Sequence, residues 1–527
     1  MANRTGAGQR HGIGRIMHNA STVDDHAGTG TRTDTLCSRL AAGLTSPGTV
    51  RNRFLVLVLI ALVARAITFG DPVVHVDEEF YFATAYGWLH GATPYLDIWD
   101  RKPIGLFIVY LPAAMLGLKA GIWAYQIMAL ASLIGTAWLI ARLAELAGWG
   151  RGALAGALAY VLWVNFVDGQ GGQAPIFYNL PMIGAAALIV PRPGDGARRL
   201  MRGFAAMALI GLALQIKYSV VFEGMYFGLW LLWREWHAGR RWSIVPLGAS
   251  LAATALLPTA IAWSAYHAIG ADQAWIYANF TSIVARRPDP ALEQFANLMK
   301  IVLITSPLIA ASILTWFSRN AGEATVRPIR IWLFGWLGAA ALGLLLFGSY
   351  FEHYALPLLV PASICASGFF GDHRTGRRVV LPLLLIGFLG GQTLLVIKRH
   401  NRGTAAQFAG VVDAIGHGSG QKRGCLYVFS GETLLYPASG RCTLTRYYFP
   451  SHLGRLREEG AIGVDQQAEI TRILALKPAI VVFRPPYPGE RAELRDMAMS
   501  EMHRHYRLRA VRPLGGQAIE IYERATP

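Results

Sequence analysis

Long apolar runs joined by short, mostly basic links set the pattern of this chain. Eleven runs stand at about 54–70, 121–144, 153–168, 175–190, 204–217, 219–234, 243–268, 298–317, 331–348, 355–370 and 379–397. Several fall short of the ~20 residues that span a bilayer, so their ends must borrow flanking polar residues. The pattern predicts a polytopic α-helical membrane protein of about 11 transmembrane helices. A further run, 104–118, decides the side on which every later link falls. If it crosses, the basic links around 191–203, 234–242 and 371–378 face outward; if it does not, all of them face the cytoplasm. Lys/Arg bias sets orientation, so 104–118 is expected to lie at or dip into the outer face. The first outer loop then runs from about 71 to 120.

Composition supports this reading. The chain has 527 residues, 53% of them hydrophobic and only 15% charged, whereas soluble domains carry about 25% charged residues. Its net charge is +17. Because the basic residues cluster in short links, that charge is read as cytoplasmic bias rather than as a nucleic-acid surface. Residues 1–52, rich in Gly, Ser, Thr and Arg, read as a disordered cytoplasmic tail. No apolar stretch with a cleavage site follows their charges, so they are not read as a signal peptide. The membrane part covers 53–400.

Beyond it, residues 403–527 read as a small extracytoplasmic α/β domain. Segments 425–430 and 479–483 look like buried strands, 465–476 has apolar residues at helical spacing, and 518–524 alternates like a terminal strand. Cys425 and Cys442 lie here, either bonded or as two buried thiols. Cys37 lies in the tail and Cys365 in an apolar run.

The densest polar stretch is 75–105, HVDEEFYFATAYGWLHGATPYLDIWDRKPIG. Asp77, Glu78 and Glu79 are followed by Tyr81, Tyr95, Asp97, Asp100, Arg101 and Lys102. Polar residues this dense between spans are costly unless they face water or do chemistry. Other links on the predicted outer side add Asp168, Gln170, Gln173, Asn179, Lys217, Arg286, Arg287, Glu352 and His353. Acids beside a few cations suit activation of a hydroxyl by a carboxylate while lysines hold a phosphate. No His/Cys/Asp cluster has reliable metal spacing, so no cofactor is expected; a divalent ion in the acid-rich loop is the open alternative, which no spacing supports.

This stretch resembles the first outer loop of the GT-C membrane glycosyltransferases, in the protein O-mannosyltransferase, aminoarabinose transferase and RgtA/B/C/D-like group. The shared features are Asp77-Glu78, Tyr81, Gly91 to Tyr95, Asp97 and Lys102-Pro103 ahead of an apolar helix. SYFEHYALPLLVP, with His353-Tyr354, looks like the late motif of that group. Ile104 stands where a second proline is usual. Pro175 stands roughly where many relatives carry a second-loop acid, and Asp168 is the candidate substitute. The resemblance covers about 54–400. It implies sugar transfer from a polyprenyl-phosphate donor to a glycan, lipid or protein acceptor at the outer face of the cell (inner) membrane. It further implies Asp77 as general base supported by Glu78, Lys102 and Lys217 on the donor phosphate, and Tyr81, Tyr95, Asp97 and His353 at the substrate. The competing class is a transporter or flippase, but no internal repeat is visible, and the polar residues gather at one face. A noncatalytic scaffold that kept the fold is the third.

Overall fold

The computed structural model describes residues 49–191, 198–318, 324–418 and 424–525. The predicted tail up to residue 48, with Cys37, and the basic positions Arg192 and Arg319 lie outside the described residues. Each of the eleven apolar runs falls on a helix: α1 (Val50–Arg65), α4 (Gly117–Leu146), α5 (Ala153–Trp163), α6 (Ala174–Ile189), α7 (Arg198–Leu214), α8 (Val221–His237), α9 (Ile244–Ala268), α10 (Ala291–Phe317), α11 (Arg327–Phe347), α12 (Leu356–Asp372) and α13 (Arg374–Arg402). Two helices, α2 (Val76–Leu89) and α3 (Ile104–Ala114), lie between α1 and α4. Helices suit such runs because every interior backbone N–H and C=O is paired within the segment.

Among the described residues, six helical stretches are long and apolar enough to cross a membrane, and α3, α5 and α6 are shorter apolar helices. The chain is a multi-pass membrane protein. In the disputed run 104–118, α3 takes up 11 residues, about 16 Å at 1.5 Å per residue. Pro103 caps its start, and the chain reverses over Met115–Gly117, where Gly117 takes φ +79°.

The centre of the bundle is α5 against α12. All of Ala153–Trp163 is buried. A Cβ at Gly152 would collide with the Ser367 carbonyl, and one at Gly156 with the Ser367 side chain. Small residues four apart let the backbones approach closely, where lipid offers no hydrophobic drive for packing.

After α13 and α14 (Ala405–Ile415) comes a four-stranded sheet in the order β1 (Leu426–Val428), β2 (Ile480–Phe483), β4 (Gln517–Arg524), β3 (Tyr506–Leu514). Only β1–β2 is parallel. Helices α15 (Gln466–Ala475) and α16 (Ala492–His505) pack their Ile470, Ile473, Leu494 and Met502 against one face. The strands near 426, 480 and 518 and the helix near 466 match the sequence reading; α14, α16 and β3 were not anticipated. Cys425 and Cys442 are bonded, and Cys365 is free and buried.

This C-terminal segment grips the first loop. The Trp99 N–H donates to the Arg446 carbonyl at 2.8 Å, and the Trp99 ring packs on Tyr447 and His452. Arg402, the last residue of α13, donates to Glu79 at 2.6 Å and to Glu432 at 3.0 Å. Glu79 is fully buried.

Candidate functional site

The site begins with the first turn of α2. His75 caps it, its Nδ1 accepting from the Asp77 N–H at 3.2 Å. Asp77, Glu78 and Glu79 fill that turn, where the helix dipole favours negative charge. Consecutive helical residues point some 100° apart, so the three acids meet different surroundings. Asp77 faces a cavity of about 340 Å³. Glu79 meets Arg402. Glu78 lies beneath Gly171, where any Cβ would strike its carboxyl, and neither of its oxygens has a hydrogen-bond partner.

Two carboxyls one residue apart are thereby driven in opposite directions. Burial alone would raise Asp77, but His75, Lys102, His353 and a 3.1 Å bond from the Gln173 amide outweigh it and hold it well below the usual carboxylate range. Burial, aided by the neighbouring Asp77 charge, pushes Glu78 up to about 8 against weaker help from the Gly172 backbone and Arg65. Asp77 is therefore ionised at neutral pH and Glu78 protonated.

Lys102 and Lys217 both line the cavity. The Lys102 ammonium sits 5.6 Å from the Tyr81 ring centre and 3.8 Å from Asp100. Lys217 lies in the link between α7 and α8, its ammonium 4.2 Å from the centre of the Tyr354 ring. Burial, then repulsion from Lys102, lowers it to about 7. Tyr81 and His353 complete this wall.

Three expected site residues stand elsewhere. Glu78 is not among the lining residues. Tyr95 is buried, takes φ +68° and donates its hydroxyl to the Lys102 carbonyl at 2.7 Å, shaping the turn that presents Lys102. Asp97 is exposed, accepts from the Thr93 N–H at 2.7 Å, and borders a separate surface groove.

Sequence reasoning missed His75, which lies inside the quoted stretch, and Lys398, which pairs with Asp168. Asp168 takes φ +56°, a conformation Asp tolerates, and lies 4.0 Å from His75. Pro175, at the position of the departure, opens α6 and leaves Gln173 just ahead to reach His75 and Asp77. Donor atoms of His75, Asp168 and His353 lie within 4.8 Å of one another. That set has the chemistry of a divalent-cation site, although Lys398 already neutralises Asp168. The three residues are scattered along the chain, so no spacing could have revealed the group.

The opposite wall comes from the C-terminal segment, with Phe449, Ser451, His452, Arg455, Arg484 and Tyr487. At its edge Glu458 binds Arg101 at 2.6 Å and Arg286 at 2.8 Å, with Arg457 3.5 Å away. These guanidiniums hold Glu458 well below the usual range against its burial.

No protein-family profile and no curated protein sequence matches the chain. Solved structures do. The crystal structure of ArnT from Cupriavidus metallidurans bound to undecaprenyl phosphate superposes at a TM-score of 0.62, with 13% identity, over 90% of this chain and 97% of that one. Its apo form gives 0.61 and 14%, over 89% and 97%. An apo oligosaccharyltransferase from Archaeoglobus fulgidus gives 0.49 and 10%, over 82% and 69%. ArnT is an aminoarabinose transferase, and these neighbours are GT-C glycosyltransferases. The chain has the ArnT fold across most of its length.

Proposed function

We propose that this protein is a membrane glycosyltransferase that moves a sugar from a polyprenyl-phosphate donor to an acceptor hydroxyl at the outer face of the cell membrane. The observation that carries the reading is one cavity holding an ionised Asp77 and two lysines, Lys102 and Lys217, in the fold of a protein solved with undecaprenyl phosphate. The acceptor hydroxyl hydrogen-bonds Asp77 and passes its proton there as its oxygen bonds the anomeric carbon. The bond from that carbon to the phosphate oxygen breaks, and the electron pair leaves with polyprenyl phosphate. Lys102 and Lys217 meet the charge that develops on that oxygen. Asp77 is a weak base, so proton transfer comes late, after the hydroxyl has begun to attack. Tyr81 and His353 border the donor. Inversion at the anomeric carbon follows from a single displacement.

In this reading all eleven apolar helices cross the membrane, the N-terminus is cytoplasmic and residues 403–527 form an extracytoplasmic domain. The Cys425–Cys442 bond suits that oxidising side. The test is transfer from a panel of radiolabelled polyprenyl-phosphate sugars in membranes carrying wild type or Asp77→Asn. Label should move from lipid to acceptor in wild type only. Equal transfer by both sinks Asp77 as base. With no wild-type transfer from any donor but flipping of labelled lipid, the reading gives way to transport.

A further inference from the structure

Most arginines around the cavity are occupied. Arg101, Arg286 and Arg457 share Glu458, Arg457 also meets Asp289 at 3.3 Å, and Arg402 is held by Glu79 and Glu432. Arg455 and Arg484 differ. Among the described residues neither guanidinium has a carboxylate within ion-pair distance or a side-chain hydrogen bond, yet both line the cavity. The Arg484 Nε is buried with no partner. A buried guanidinium donor without an acceptor is costly.

These two side chains are nevertheless held by packing. The Arg484 guanidinium lies 4.3 Å from the centre of the Tyr487 ring. A Cβ at Gly489 would come within 3.1 Å of the Arg455 Nε, and one at Gly454 within 3.1 Å of the Tyr487 hydroxyl. Both arginines act electrostatically on the Tyr487 phenol, so the three form one group. Glu432 acts on Arg484 through space but is itself bound to Arg402. The group stands on the wall built by the C-terminal segment, whereas Lys102 and Lys217 stand on the wall built by the helices.

We infer that Arg455 and Arg484, with Tyr487, seat an anionic group of the acceptor, a phosphate or carboxylate carried on a glycan or glycolipid. The inference rests on the transferase reading and names the acceptor's chemistry. Planar guanidinium forks suit the paired oxygens of such groups. A neutral hydroxyl acceptor would leave both charges unmatched. One anion on each wall places the donor phosphate at the lysines and the acceptor charge at the arginines, with Asp77 on the cavity they share.

Binding to the full-length protein in detergent tests this without any need for turnover. Calorimetry would measure undecaprenyl phosphate first, then glucose 1-phosphate, galacturonate and glucose on protein already loaded with that lipid. Wild type should take the two anionic sugars and not glucose. Arg455→Gln/Arg484→Gln should weaken the anionic sugars by about tenfold or more while changing undecaprenyl phosphate by less than about twofold. Arg455→Lys/Arg484→Lys should keep part of the affinity. If the double Gln protein melts early, Arg484→Gln alone serves, with the same split between probes. Loss of undecaprenyl phosphate binding would assign the arginines to the donor and overturn the inference. So would anionic-sugar binding equal in wild type and variant, absent from wild type, or matched by glucose. Absence of sugar transfer alongside the predicted binding pattern would instead remove the transferase reading alone.

Discussion

The two walls of the cavity use the same kinds of charge in different ways. The helical wall holds a few groups under strong mutual influence: Asp77 ionised by the cations around it, and Lys217 brought close to neutrality by burial. On the C-terminal wall most charges are locked into ion pairs, around Glu458 and around Arg402, and among the described residues Arg455 and Arg484 are left over. Pairing, rather than charge count, separates groups that hold the architecture from groups available to a ligand. Removing a paired charge should cost folding; removing an unpaired one should cost binding or chemistry.

Asp77→Asn should break the comparison most sharply. It keeps the Gln173 contact sterically possible and, on the proposed mechanism, removes the proton acceptor, so transfer per folded molecule should fall by about 10²–10⁴-fold. Glu458→Gln tests the other wall. It leaves Arg101 and Arg286 without their carboxylate, and breaking a buried pair costs about 3–5 kcal/mol, read as a marked drop in thermal midpoint. Lys217 gives a subtler signature. With its pKa lowered to about 7, it is charged below that pH and neutral above. A phosphodiester donor does not titrate there, so its KM should rise several-fold from pH 6 to 8.5, and Lys217→Arg should flatten the profile. Glu78→Gln should do least, leaving transfer near wild type. Native Glu78 keeps its proton up to about pH 8, while an unfolded Glu loses it near 4.3. Stability therefore falls as pH rises across that window, and the Gln variant should lose this part of the decline.

What was legible in the sequence follows from the range of the forces. Helices in apolar surroundings depend on local composition, so all eleven runs could be read, with ends off by a few residues. Orientation of three neighbouring acids is also local, but their fates are not. Glu78 and Glu79 are separated from Asp77 by what packs on them: Gly171, and Arg402 with Glu432. The strands at 426 and 480 show as apolar runs, whereas β3, with its mostly exposed Arg507, Arg509 and Arg512, gives no such signal. Tyr95 and Asp97 belong to the motif, and their observed contacts serve the turn around Lys102. The arginine wall left no trace, because its relation to Asp77 exists only once the C-terminal segment has docked.

That docking joins residues far apart in the order of synthesis. Arg101 waits for Glu458, 357 positions later, and Glu79 for Arg402, 323 positions later. At about 5–20 residues per second, the first loop stands outside its final surroundings for tens of seconds, with its acids solvated. The cavity around Asp77 is thus closed only after its C-terminal wall has been made, and a chain released early would carry the full Asp77 motif without that wall.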